Sequence, residues 1–331
     1  MKAESTPPPV ADRWESSQKF GRFAWFIVGY LILVILWGAW VRISGSGAGC
    51  GAHWPTCNGE VIPLNPAWKT VVEFTHRLTS GLSLPLVIAL VFAAFRRFPK
   101  GHGVRWASVG TLLFLLSEAA LGAGLVKFEL VAENASIARA VTASFHLINT
   151  FILAAFATLC AWWGSNGFPN FRSKRSGASL LVGLGLFALL ITGMSGAITA
   201  LGDTLFPTQV FTEQGLLPHL KEDLTSSTHF LVQLRIFHPI IAIISGVYLL
   251  GLMPWLSDRR ADLKKACLRV NILVICQLLL GVLNIMLAAP GWIQIAHLLL
   301  ALGVWLATVL LWVQLLEGRQ NTPRFPHQQA D

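Results

Sequence analysis

The chain has 331 residues, 54% of them hydrophobic and only 12% charged, with a net charge of +9. A soluble domain carries about twice that charged fraction, so a water-soluble globular protein is excluded and the lipid bilayer is the expected surroundings. A charge of this sign would suit a nucleic-acid partner, but the basic residues fall in short turns between apolar runs, where they set membrane orientation, and no nucleic-acid partner is expected.

Residues 1–22 are polar, contain Pro7-Pro8-Pro9, and are expected to form a disordered tail. The first apolar run starts at Phe23 and continues to about Ile43. It is long enough to cross roughly 30 Å of hydrocarbon, and a cleaved signal would need a shorter apolar core near the start, so it reads as an uncleaved first span. A polar loop from Ser44 to Thr70 holds Gly45-Ser46-Gly47, Cys50 and Cys57. Spans two to four are expected at 71–94, 106–128 and 138–163, with Arg96, Arg97, Lys100 and Arg105 in the turn after span two. The basic link Arg172, Lys174 and Arg175 leads to span five at 178–201, and a second long loop, 202–228, precedes span six at 229–255. Arg259, Arg260, Lys264 and Lys265 separate it from spans seven (268–289) and eight (291–316). The fold class is therefore an all-α polytopic membrane protein of eight transmembrane helices. Most of the 25 Lys and Arg lie in the terminal segments and in the loops after spans two, four and six. By the positive-inside rule that side is cytoplasmic, which puts both termini in the cytoplasm of a cell (plasma) membrane protein and the Cys50–Cys57 loop outside.

The spans divide into two pseudo-repeated four-helix bundles, residues 23–164 and 178–316, joined by a cytoplasmic link at 165–177 and followed by a tail at 317–331. Glu118-Ala-Ala-Leu-Gly122 in span three matches Gln277-Leu-Leu-Leu-Gly281 in span seven. His76 of span two answers to His238 of span six, and His146 of span four to His297 of span eight. Each of these four histidines lies five to ten residues inside the outer end of its helix, on the order of 8–15 Å deep at about 1.5 Å per residue. Shared depth and repetition suggest two pairs, His76 with His146 and His238 with His297, each able to ligate a haem iron from both sides. The competing reading makes each an interhelical hydrogen-bonding group. Zinc is less suited, because Cys160, Cys267 and Cys276 stand apart from these histidines. His53, His102, His219, His229 and His327 are assigned no ligand role.

Charged groups inside a bilayer are costly and are functional candidates. Three residues before His76 stands Glu73, and three before His238 stands Arg235. Glu73 suits proton transfer or the stabilising of positive charge at a reacting carbon, or else a plain ion pair with Arg77 four residues on. Arg235 suits a haem propionate, since guanidinium binds carboxylate through two hydrogen bonds. The first half then reads as a substrate site and the second as a permanent cofactor site. Cys50 and Cys57, in an oxidising compartment, form either a structural disulfide or a redox-sensitive pair. Glu118 is read either as a hydrogen-bonding group between helices or as a proton relay.

Eight spans, a cysteine-pair loop, Glu73-Phe-Thr-His76-Arg77 and the later His146, His238 and His297 together resemble the heme A synthase family. The resemblance runs from about Phe23 to Leu316. It implies an oxidoreductase that hydroxylates the C8 methyl group of heme O twice, with loss of water leaving the formyl group of heme A for cytochrome aa3-type oxidases. It implies a resident heme b between His238 and His297, heme O near His76 and His146 with Arg77 beside them, Glu73 as a catalytic carboxylate, and a disulfide between Cys50 and Cys57. The implied partners are a heme O synthase, the terminal oxidase assembly and an electron donor; a homo-oligomer is compatible with all of this. Two residues depart from the family pattern. Pro239 follows His238 where arginine is usual, and Glu118 stands where an uncharged polar residue is expected. The readings that compete are a dihaem b-type quinol or metal reductase and a non-catalytic haem-handling or assembly protein.

Overall fold

In the computed structural model, residues 10–167, 177–207 and 229–316 are described. The basic link Arg172, Lys174 and Arg175, most of the second long loop with His219, and the C-terminal tail with His327 lie outside them. The described chain is helical throughout, apart from loops and one isolated bridge between Cys57 and Glu60. Helices are what a lipid-embedded backbone permits, because each N–H and C=O finds its partner within the segment.

The elements in order are α1 (Val10–Ile43), α2 (Trp68–Arg97), α3 (Gly103–Lys127), α4 (Ile137–Asn166), α5 (Gly177–Leu205), α6 (Phe230–Arg235), α7 (Phe237–Arg259), α8 (Lys264–Met286) and α9 (Gly291–Leu316). Helices α6 and α7 together make one span, so eight spans long and apolar enough to cross a membrane are present. The protein is a multi-pass membrane protein. α1 begins at Val10, inside the stretch expected to be a disordered tail. Pro7-Pro8-Pro9 stops just short of it, and Val-Ala-Asp-Arg-Trp-Glu then continues with residues that tolerate or favour helix. Ser136 caps α4 by accepting from the Arg139 amide at 3.2 Å, and His102 caps α3 by accepting from the Val104 amide at 3.2 Å. Both caps satisfy amides that a first helical turn leaves unpaired.

The sixth span is broken at Ile236, where an unbroken helix was expected. Pro239 supplies the reason: it has no N–H to give to the Arg235 carbonyl, and its ring crowds that same oxygen. The turn between α6 and α7 takes up the conflict, so Arg235 ends one helix while His238 is the second residue of the next.

Each half has its own apolar core. Phe20, Ile27, Leu90 and Leu153 pack the centre of α1–α4, and Leu249, Met253, Leu256 and Leu311 pack that of α5 and α7–α9. A third cluster, Phe151, Ala154 and Ala155 with Leu186, Leu302, Trp305 and Val309, joins α4 to α5 and α9 along the seam. There the Trp305 indole donates to the Phe151 carbonyl at 2.7 Å. Phe26, Leu33, Phe92, Leu113, Ile244 and Leu279 point outward and are more than half exposed. Apolar groups on the rim suit a lipid surround, where only the core-facing stripe must be matched to protein.

Arg42, at the loop end of α1, fastens the same seam. It donates to the Ala200 carbonyl of α5 at 2.6 Å and to Gln294 Oε1 of α9 at 3.0 Å.

Candidate functional site

All four repeated histidines stand at one level, roughly 9–14 Å along their spans from the end nearer the Cys50–Cys57 loop, at about 1.5 Å per residue. The two halves hold them by the same device. A methyl group in place of the Gly38 hydrogen on α1 would lie 2.9 Å from His76 Cε1, and one on Gly196 of α5 would lie 3.0 Å from His238 Cε1. Only glycine lets the imidazoles come so near those helices. The partner histidines rest against glycines of the third helix in each half: Gly122 behind His146, and Gly281, whose added methyl would stand 3.2 Å from His297 Cε1.

Polar neighbours then orient the rings. Ser195 Oγ lies 3.0 Å from His238 Nδ1. Gln277 Nε2 lies 3.1 Å from His297 Nε2, and Glu118 Oε1 lies 3.4 Å from His146 Nδ1. Glu118 in turn accepts from Asn149 Nδ2 at 2.6 Å and from the Thr150 hydroxyl. The Nδ1 atoms of His76, His146 and His297 are buried and make no hydrogen bond to protein. His238 and His297 stand with ring centres 6.4 Å apart and planes at 85°. His76 and His146 lie within each other's electrostatic reach.

Near the first pair, Glu73 is 3% exposed and both its oxygens are engaged. Oε2 accepts the Cys50 backbone N–H at 2.9 Å, and Oε1 accepts Arg77 Nε at 3.1 Å together with Arg77 Nη2. Arg77 Nη1 continues to the carbonyls of His53 and Thr56, at 2.6 and 2.7 Å. Of the two expectations for Glu73, the ion pair with Arg77 is present. The pair also anchors the loop whose Cys50–Cys57 disulfide is closed. Replacing both cysteines by serine should relax that loop by on the order of 2–3 kcal/mol of chain entropy. A lowered thermal midpoint of the purified protein would show it, and an unchanged midpoint would mean that Glu73 and Arg77 hold the loop unaided.

Arg235 lies 3.8 Å from Asp203 Oδ1 and donates to the Phe206 carbonyl at 3.3 Å, so it already has protein partners. Of the histidines given no ligand role, His102 and His229 cap α3 and α6 and stack on Phe98 and Phe206 respectively. Burial holds the His102 imidazole below its ordinary pKa. The carbonyl of His53 serves Arg77.

Among the described residues no group of three or more His, Cys, Asp or Glu is placed to enclose a metal ion. The histidines come in twos, which is what an iron already held by four macrocycle nitrogens needs. The second pair passes a simple distance test. Two metal–imidazole bonds of roughly 2 Å, plus about 1 Å from nitrogen to ring centre on each side, put the centres about 6 Å apart, close to the 6.4 Å found. In comparison with known proteins, the cytochrome oxidase assembly protein family (COX15-CtaA) matches residues 21–309. The chain belongs to this family.

Curated relatives of this member of the cytochrome oxidase assembly protein family carry two names. A Thermus thermophilus protein called protoheme IX farnesyltransferase is 46% identical over 89% of this chain and 48% of its own length. A protein of Halalkalibacterium halodurans called heme A synthase is 36% identical over 42% of this chain and 45% of its own. One of Alkalihalophilus pseudofirmus with the same name is 41% identical over 30% and 33%. The chain thus spans about half or less of the length of these relatives, and its resemblance to heme A synthases extends to curated proteins of that name.

Ser195 and the glycines behind the histidines were not singled out in the sequence, although signals for the glycines were there. Gly38-Ala39 and Gly196-Ala197 stand at matching places in α1 and α5. Glu118 with Gly122, and Gln277 with Gly281, are four apart and so share a helix face.

Proposed function

We propose that this protein is a heme A synthase that oxidises the C8 methyl group of heme O to the formyl group of heme A. The observation that supports it most is the difference between the halves. Among the described residues, only the His76–His146 half has a buried carboxylate one helical turn from a histidine, and that carboxylate is fixed by an arginine and a backbone amide. A pure electron conduit needs no such group at one of two haems, so the asymmetry favours chemistry over a dihaem reductase or a carrier.

In this reading His76 and His146 hold heme O, and Glu73 takes a proton from, or stabilises positive charge beside, the reacting carbon. Arg77 holds Glu73 in place. His238 and His297 hold a resident heme b, with Ser195 fixing the tautomer of His238. That haem supplies one-electron transfer when bound. The half-domains at 23–164 and 178–316 are accordingly a substrate unit and a cofactor unit. Arg235 serves the cofactor unit's loop end, by way of Asp203 or a propionate. The termini are cytoplasmic and the disulfide loop lies outside, as the basic turns at Arg96–Arg105 and Arg259–Lys265 favour. Heme A made here would serve the assembly of a terminal oxidase.

The Thermus relative's name raises a second reading, transfer of a farnesyl group to protohaem. This chain covers only 48% of that relative's length, so the name of the whole relative does not by itself assign the transfer to the matched half. A better fit is that a farnesyltransferase makes the substrate of this protein. One experiment separates the readings. The chain is expressed with and without a heme O synthase in a host that makes no heme A, and the extracted haems are chromatographed. Heme A should appear only when heme O is supplied. Unchanged heme O despite good expression overturns the proposal, and heme O formed without the added synthase establishes the farnesyltransferase.

A further inference from the structure

We propose that Glu118 is a positioning residue for His146: its carboxylate accepts the Nδ1–H of that imidazole, which turns Nε2 to the ligand and makes it a more strongly donating nitrogen than it would be with an amide at position 118. This rests on the reading that His76 and His146 hold a haem.

The placement of Glu118 carries the argument, and the repeat shows how it is built. In each half the third helix brings a polar side chain to the histidine of the fourth, one turn before the glycine on which that ring rests. In the first half these are Glu118 and Gly122 against His146, and in the second Gln277 and Gly281 against His297. Size and helix position are the same, but the ring nitrogen faced is not: Glu118 faces Nδ1 of His146 and Gln277 faces Nε2 of His297. One side chain is a carboxylate set on the nitrogen away from the ligand position, and the other is an amide.

The surroundings of Glu118 make it an acceptor. Asn149 Nδ2 donates to Oε2 at 2.6 Å, the Thr150 hydroxyl donates to Oε1, and Asn149 is itself set by a 2.9 Å bond to the Phe114 carbonyl. Asn149 and Thr150 follow His146 by three and four residues, so they share its helix face, and the three form one cradle with Glu118. His146 Nδ1 is buried, makes no hydrogen bond within the protein, and stands 3.4 Å from Oε1. That is slightly beyond an ordinary N–H···O bond of about 2.7–3.2 Å, a gap that a small ring rotation closes. A metal-bound histidine whose other N–H is given to a carboxylate is fixed in tautomer and raised in basicity. At an iron, that favours the oxidised state. An amide in the same place can orient a ring but brings no charge. The first-half haem should therefore have a lower reduction potential than it would with a glutamine at 118.

The test uses the full-length purified protein loaded with protohaem IX. Two haem signals are followed by spectroelectrochemical titration and assigned by their loss in His146→Ala and His238→Ala. Glu118→Gln keeps the size of the side chain and an oxygen for Asn149. It should raise the potential of the first-half haem alone. The second-half haem should keep its potential. If the variant binds haem and the first-half potential does not move, Glu118 is only a strut between α3 and α4 and the proposal is overturned. Should Glu118→Gln fail to fold, Glu118→Asp decides: it withdraws the charge by one methylene, so a raised first-half potential supports the proposal and an unchanged one overturns it. If His146→Ala removes no haem signal from the wild type, the haem-holding reading of the first half fails, and this proposal with it. That result is distinct from haem binding with unmoved potentials.

Discussion

Glutamine in place of Glu73 should lower conversion of heme O by roughly 10²–10⁴-fold, the range for loss of a positioned acid–base group, while the visible spectrum of the resident haem stays as it is. The substitution is a fair one because glutamine retains an oxygen for the Cys50 amide. Arg77 keeps its bonds to the His53 and Thr56 carbonyls, so it is not left without partners in a low-dielectric setting. A carboxylate has about four lone-pair directions. Cys50 and Arg77 occupy some of them, and the others remain available to a substrate in the first bundle. Normal conversion by Glu73→Gln would reduce Glu73 to the anchor of the disulfide loop. Joint loss of conversion and of the resident-haem spectrum would mean that the anchor holds the whole bundle together. Glu73→Asp sharpens the distinction: it keeps the charge but withdraws it by one methylene, so partial activity is expected if charge near the carbon is what matters.

The spans were legible because their cause is local. A run of about twenty apolar residues is helical in lipid whatever surrounds it, and α9 begins and ends where the run does. The nearness of His238 and His297 was legible too, since the repeat put both at the same depth. The contacts between helices were less so. Arg235 and His238 are three apart, and on an unbroken helix they would share a face; Pro239 divides that helix and leaves Arg235 with Asp203 and Phe206 instead. Arg42 shows the same limit from another side. It is an ordinary basic residue at a helix end in the sequence, yet in the fold it reaches Ala200 and Gln294 from the opposite half. No periodicity in one segment contains such a contact, because it arises only when two bundles dock. Gly38 and Gly196 were visible as a matched pair of residues, but their use depends on which ring approaches them.

Alanine at His238 or His297 should abolish the low-spin b-haem spectrum of the purified protein and, with it, heme A formation. Alanine at His76 or His146 should leave the resident spectrum intact and remove conversion alone. The asymmetry follows from assigning cofactor and substrate to different halves, and it is harsher than a simple loss of activity. All four alanine variants would be inactive under almost any account, but only this assignment divides them by spectrum. An unchanged spectrum in His238→Ala or His297→Ala would put the resident haem elsewhere. Gly196→Ala adds a probe that removes no ligand atom. Its methyl would press on His238 Cε1 from 3.0 Å, closer than an unstrained contact, so the ring or α5 must shift. Because Ser195 holds Nδ1 of the same ring, the shift should tilt the imidazole rather than release it. The expected result is a haem that is retained but altered in spectrum. A wild-type spectrum in Gly196→Ala together with loss in His238→Ala would show that the helix yields before the ligand does.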